Sequence, residues 1–293
     1  MVMAQAELRT GLLQQLRSGA ADSVVDAAKR LLELGELGSP AGTFSLMGGK
    51  AAIGVGRLAD AVVLLYHGLR VAEPNTKVWA ELLVNRAIAC AHHGFYLDAI
   101  CAGEQFLALT DSLPADTATF IPYAHHAVAF AQDRRKEYLR AVAHYRRAAE
   151  LHADPVQRAI TTSDLAYALI LAGQTDDADA ILSRAEACED RFATFVLACT
   201  TTLLRYHQGH FSDAFGASQR AESLACGNEK LWANPLAELW YWQSRIVWEM
   251  GDRRSSAALA LRASVKASEL WNLGLRDKAD EWLAELLDKG GIR

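Results

Sequence analysis

The chain repeats itself, and that constrains its fold more than any other feature. A turn residue, usually Gly, is followed by an apolar residue two places on and a small residue five places on. The copies begin at Gly19, Gly56, Gly94, Lys136, Gly173, Gly209 and Gly251, at spacings of 37, 38, 42, 37, 36 and 42 residues. A period of this length marks one supersecondary unit per copy, each burying its apolar side against the next. Chain length is then a poor guide to domain count, and residues 1–293 read as one stack of units.

The residue types of one copy have physical reasons. Gly ends a helix by taking the left-handed conformation that a side chain makes costly. The apolar residue packs back across the turn, and the small residue lies where two antiparallel helices approach most closely. Around Gly173, Leu165, Ala166, Leu169, Leu182 and Ala185 recur at helical spacings. Each copy is therefore expected to be a helical hairpin turning near 19, 56, 94, 136, 173, 209 or 251. Proline supports the register. Pro40, Pro74, Pro114, Pro122, Pro155 and Pro235 all fall at expected junctions between hairpins, where breaking a helix is tolerated.

These positions resemble the tetratricopeptide repeat (TPR) superfamily. Gly94-Phe95-Tyr96-Leu97-Asp98-Ala99-Ile100 is similar to that family's turn core. Ala148, Ala185, Ala221 and Ala263 stand at its second small position, and Trp240 at its helix A tryptophan. Lys136 in place of Gly and Ser256 in place of Ala depart from the pattern. The resemblance implies an all-α, right-handed α-solenoid of about seven hairpins. Its repeats are longer than the family standard and resemble those of bacterial regulatory proteins, such as peptide-sensing phosphatase and transcription-factor receptors. After Gly274, Leu275, Ala279, Trp282, Leu283, Leu286 and Leu287 form an apolar stripe, predicting a capping helix over about 275–288.

Composition excludes several classes. Hydrophobic residues are 51% and charged residues 22% of the chain, enough for a core and unlike a disordered segment. A net charge of −5 disfavours direct nucleic-acid binding. No apolar run is long enough to span a membrane, and residues 1–9 do not read as a signal peptide, so a cytoplasmic protein is expected. Cys90, Cys101, Cys188, Cys199 and Cys226 form no CxxC pair and read as buried, reduced thiols.

Sites of chemistry were sought in the motifs. Gly48-Gly49-Lys50-Ala51 lacks both the upstream Gly and the Ser or Thr of a phosphate loop. Gly54-Val55-Gly56-Arg57-Leu58-Ala59 matches a dinucleotide motif in letters but follows a helical pattern. The pairs His92-His93 and His125-His126 point about 100° apart on a helix, and His207 with His210 lacks a further ligand. No catalytic motif and no cofactor are expected.

In the TPR family the first helices line a concave groove at fixed positions, and the resemblance assigns the facing residues. They are Glu81, Asn85, Ile88 and His92, then Tyr123, His126, Phe130 and Arg134. Ser163 and Tyr167 follow, with Cys199, Leu203, Tyr206 and His207, and finally Glu238, Tyr241, Arg245 and Trp248. Tyr, Phe, Trp, His and Arg suit recognition because they give large contact area at low entropic cost. The Lys/Asn clamp of chaperone-type TPR grooves is absent, Asn85 being its one reminiscent residue. The expected function is a non-enzymatic scaffold or adaptor gripping an extended peptide or protein segment. The alternative is a regulator in which a small peptide or metabolite controls the grip on a partner enzyme or transcription factor. On this reading Tyr241→Ala or Trp248→Ala abolishes partner capture without unfolding the protein.

Overall fold

The computed structural model describes residues 11, 14–15, 20–33, 41–185, 189–229, 232–270 and 272–288. The expected turn at Gly19, together with Pro40 and Cys188, lies outside them. Among the described residues every regular element is helical. One compact unit, 1–151, opens with α1 (Ala21–Glu33). Three hairpins follow: α2 (Ala41–Gly54) with α3 (Leu58–Val71), α4 (Lys77–His93) with α5 (Tyr96–Ala108), and α6 (Ile121–Arg134) with α7 (Tyr138–Leu151). The second unit, 152–293, contains α8 (Pro155–Leu171) with α9 (Thr175–Arg184) and α10 (Arg191–His207) with α11 (Phe211–Ala225). It ends with α12 (Ala233–Glu249), α13 (Arg253–Glu269) and the capping helix α14 (Leu273–Asp288).

The six described turns share one geometry. Gly56, Gly94, Gly173, Gly209 and Gly251 have φ between 75° and 96°, and Lys136 has φ 63°. In each turn the next N–H reaches back five residues, as from Phe95 to the Cys90 carbonyl (2.8 Å) and from Glu137 to the Gln132 carbonyl (2.9 Å). That bond satisfies a carbonyl that the helix end leaves without a partner. Lys136 makes it at the strain cost of a left-handed residue bearing a side chain, about 1 kcal/mol. The 42-residue spacing before Lys136 is also explained. Short 3₁₀ turns at Thr110–Ser112 and Ala115–Phe120 fill the extra length between α5 and α6.

The small residue five places after each turn is sealed in the hairpin: Ala61, Ala99, Ala141, Ala178, Ala214 and Ser256 are all 0% exposed. The Ser256 hydroxyl lies 3.2 Å from Ser244 Oγ, which answers the polar substitution with a buried partner. Ala148, Ala221 and Ala263 are buried in the same way. Ala185 is not. α9 stops at Arg184, so Ala185 ends the helix instead of lying inside it, and its intended neighbour Leu182 is only partly buried.

Prolines fall at junctions. Pro122 and Pro155 stand in the first turns of α6 and α8, where a missing N–H costs nothing. Side-chain caps at Thr76, Asp154, Asp190 and Asp252 satisfy first-turn N–H groups. Gly48 and Gly49 belong to the interior of α2, not to a phosphate loop. A Cβ on Gly48 would lie 2.4 Å from the Ala28 methyl, and one on Gly49 2.5 Å from Leu65. In α14, Leu275, Ala279, Trp282 and Leu286 are buried as expected, but Leu287 is exposed because it stands one residue off the stripe.

Candidate functional site

Consecutive first helices lie side by side (α2 with α4, α4 with α6, α8 with α10, α10 with α12), whereas second helices scarcely touch. The first helices of each unit thus form one continuous side of it. The predicted site residues stand on these helices, and their surroundings differ widely.

On the first unit's face, Lys50 of α2 and Glu81 of α4 form an ion pair at 2.7 Å. Asn85 donates to the Glu81 carbonyl at 2.8 Å. His92 is exposed and its ring lies 4.9 Å from that of Phe130, over which Arg134 sits at 4.8 Å. An imidazole, a benzene ring and a guanidinium thus form a short stack on α4 and α6. Tyr123 packs beside Trp79, Leu83 and Phe106, so part of its ring belongs to the core. His126 turns edge-on to the buried Tyr145 of its own hairpin, at 5.4 Å.

His125 makes a contact that the sequence did not reveal: its Nδ1 lies 2.9 Å from Nδ1 of His144 on α7. One nitrogen must donate and the other accept, so both rings cannot be protonated without losing the bond. Burial, then the His144 and Arg147 charges, lowers the His125 pKa to about 4. Burial also lowers that of His144. Among the described residues no three His, Cys, Asp or Glu side chains gather closely enough to hold a metal ion.

The second unit's face is more tightly knitted. Tyr167 of α8 donates to Glu238 of α12 at 2.6 Å, reaching across α10. Cys199 lies in this region, where burial and then the Glu238 charge push its thiol up, whereas Cys101 and Cys226, expected to be buried, are exposed. Ser163 is buried and bonds to Thr200 Oγ1 (2.8 Å) and the Val196 carbonyl (3.0 Å). Leu203 is buried as well. Both were expected to face the groove; Ser163 instead joins α8 to α10, and Leu203 is sealed from solvent.

One turn further along, Arg245 of α12 donates from Nε to the Tyr206 hydroxyl (3.1 Å) and from Nη1 to the Tyr241 hydroxyl (3.2 Å). Its guanidinium also lies 4.5 Å above the Trp282 ring of α14. Burial opposes this charge, but the two phenols more than offset it and the Arg245 pKa is raised. Trp242 packs against Tyr206 and His207 with ring centroids 5.5 and 5.8 Å away. The His207 pKa is lowered, first by its low-polarity surroundings and then by Arg245.

Two predicted ligand residues are structural here. Tyr241 is 7% exposed and belongs to a core with Leu236, Trp240 and Trp282. Trp248 is partly buried and meets Trp282 edge-on at 5.8 Å. The capping helix brings Trp282 against the last first helix, and no periodicity along α12 foretells which of its rings that tryptophan covers. Truncating Tyr241 or Trp248 therefore removes core packing, so these variants do not test partner capture cleanly. His92, Arg134, Tyr206 and Arg245 are the better probes.

No family model matches the sequence, and no curated protein matches it. Solved structures do match in fold. A tetratricopeptide repeat protein from Parabacteroides merdae aligns with a TM-score of 0.65 at 14% identity, covering 94% of this chain and 98% of its own. A Rap protein complexed with competence and sporulation factor aligns at 0.58 and 13% identity, over 97% of this chain and 85% of that one. Aspartyl phosphate phosphatase F from Bacillus subtilis aligns at 0.57 and 14% identity, over 89% and 74%. Helix order, left-handed hairpin turns and these superpositions agree, and by fold the chain is a TPR-like helical-repeat protein.

Proposed function

We propose that the protein is a non-enzymatic binding module whose concave first-helix faces hold a peptide or protein segment. The observation that carries this reading is the band on α8, α10 and α12. There Tyr167, Tyr206 and Arg245 stay partly exposed while hydrogen bonds fix their orientation. Side chains already held in place lose little entropy on binding, so their contact area converts to affinity efficiently. The His92, Phe130 and Arg134 stack offers the first unit's face a similar surface.

Affinity capture on immobilised protein tests the reading, with His92→Ala, Arg134→Ala and Tyr206→Phe as variants that leave the core filled. The expected result is a partner retained by the wild type and weakened at least tenfold by one of the three, with thermal melting unchanged. A partner held equally by all four proteins sinks it.

A regulator is the second reading, and the Tyr167–Glu238 bond favours it. That bond ties two non-adjacent first helices, so a small peptide or metabolite that displaces it would change the curvature of the second unit. The protein would then show a ligand-dependent melting shift together with a change in compactness by solution scattering. A bound ligand that moves neither quantity removes this reading.

A further inference from the structure

We propose that Arg245 receives a carboxylate carried by the bound peptide. The inference rests on the binding-module reading and specifies the chemistry of one ligand group. A guanidinium has five N–H donors in a fixed fork. Tyr206 and Tyr241 engage Nε and Nη1, while Nη2 has no hydrogen-bond partner among the described residues and is not sealed from solvent. Both partners are hydroxyl groups, which satisfy donors without supplying a carboxylate.

The contrast with other arginines sharpens the point. Arg57, Arg205 and Arg262 each meet a carboxylate, at Asp60 (2.7 Å), Asp179 (3.2 Å) and Glu222 (3.2 Å). Among the described residues Arg245 has no carboxylate within ion-pair distance. Glu238 stands two turns away, roughly 10 Å along the helix, and is engaged by Tyr167. A partly buried cation on the first-helix side of the second unit thus lacks a counter-ion among the described residues.

The ligand group must accept hydrogen bonds and bring negative charge. Each phenol that accepts from Arg245 retains its own O–H to donate, so the cluster adds two hydroxyl donors beside the guanidinium. A planar carboxylate matches the guanidinium edge in the paired geometry that makes such hydrogen bonds strong. The charge balance also favours it over phosphate. The lowered His207 pKa keeps that ring neutral near pH 7, which leaves one positive charge for one monoanion.

The direct test uses acetate, acetamide and inorganic phosphate as probes at constant ionic strength. It follows the arginine Nε–Hε resonances of the whole protein, with that of Arg245 assigned from its loss in Arg245→Lys. Acetate is expected to move that resonance along a saturating curve, and Tyr206→Phe to weaken the effect several-fold. The proposal is overturned if acetamide moves the resonance as far as acetate, if acetate shifts all arginines alike, or if phosphate binds more tightly.

Randomised octapeptides, acetylated and amidated at their ends, then locate the carboxylate. A tenfold preference for Glu over Gln at one position assigns it to a side chain. A tenfold gain only on restoring the free C-terminal acid assigns it to the terminus. Peptides captured with no acidic preference at either place defeat the carboxylate proposal yet leave the binding-module reading intact. If acetate titrates Arg245 and no peptide is captured, the broader reading fails instead.

Discussion

The two units solve the same packing problem with different emphasis. In the first, helices approach because side chains are missing: Cβ atoms built on Gly48, Gly49, Gly68 and Gly103 would fall 2.4 to 2.7 Å from a neighbouring side chain. One of its clusters is aliphatic, around Val25, Leu31, Leu64, Leu65 and Leu82, while another holds Trp79 and Phe106. In the second, rings fill the space. Phe195, Trp240, Tyr241 and Trp282 make one cluster, and Trp232 stacks on Phe195 at 5.1 Å. One hairpin plan is thus compatible with either close backbones or bulky wedges, and the two units should fail in different ways.

The largest expected effect is in the second unit. Trp282 is 4% exposed and its indole N–H donates to Ser244 Oγ at 2.9 Å. Trp282→Ala should cost about 3–5 kcal/mol by denaturant unfolding, through the cavity and the lost bond together. A loss below about 1 kcal/mol would show that α14 is dispensable and that the ring-wedge description is wrong.

Next comes the converse in the first unit. A Cβ on Gly103 of α5 would sit 2.4 Å from Val128 Cγ2 of α6. Alanine gains up to about 1 kcal/mol of helix propensity over glycine. Overpacking should still win, leaving Gly103→Ala less stable by about 1–2 kcal/mol. Stabilisation of this variant would break the contrast between the units.

The histidine pair gives the first unit a pH dependence. The folded-state pKa values of His125 and His144 lie below the ordinary histidine value. As pH falls the unfolded chain therefore binds protons first. Their contribution is fully present above about 6.5 and is lost as pH falls toward 4. After allowance for partial exposure the loss is about 1–2 kcal/mol. His67 and His207 shift in the same direction, so the comparison that matters is with His125→Gln, whose profile should be flatter. Superimposable pH profiles for that variant and the wild type would refute the role of the pair.

The smallest effect concerns the one described hairpin turn that lacks glycine. Lys136→Gly relieves a φ of 63° but frees the unfolded chain, so stability should rise by at most about 1 kcal/mol. Any destabilisation would mean that the lysine side chain holds the turn in a way its backbone does not show.

Much of the fold was legible in advance. The turns at Gly56, Gly94, Lys136, Gly173, Gly209 and Gly251 fall where the sequence pattern puts them, and so does the final helix. Turn chemistry and the small residue five places on are local requirements, written in adjacent residues. The early end of α9 was hidden because Leu182 and Ala185 keep helical spacing while nothing local marks Arg184 as the last residue.

The site was legible only as a face. Heptad-like spacing along α12 places Glu238, Tyr241, Arg245 and Trp248 on one side of a helix, and periodicity can say no more than that. Whether that side meets a ligand or another helix depends on what arrives from elsewhere in the chain. Trp282, 37 residues beyond Arg245, lies under its guanidinium, and Tyr206, 39 residues before it, binds its Nε. His144 meets His125 from 19 residues away. By itself the sequence determined helices, turns and register, because those depend on neighbours three to five residues apart. Tertiary structure alone decided which aromatics became core, whether a given arginine met an acid and which histidines paired, because burial and charge depend on contacts between distant residues.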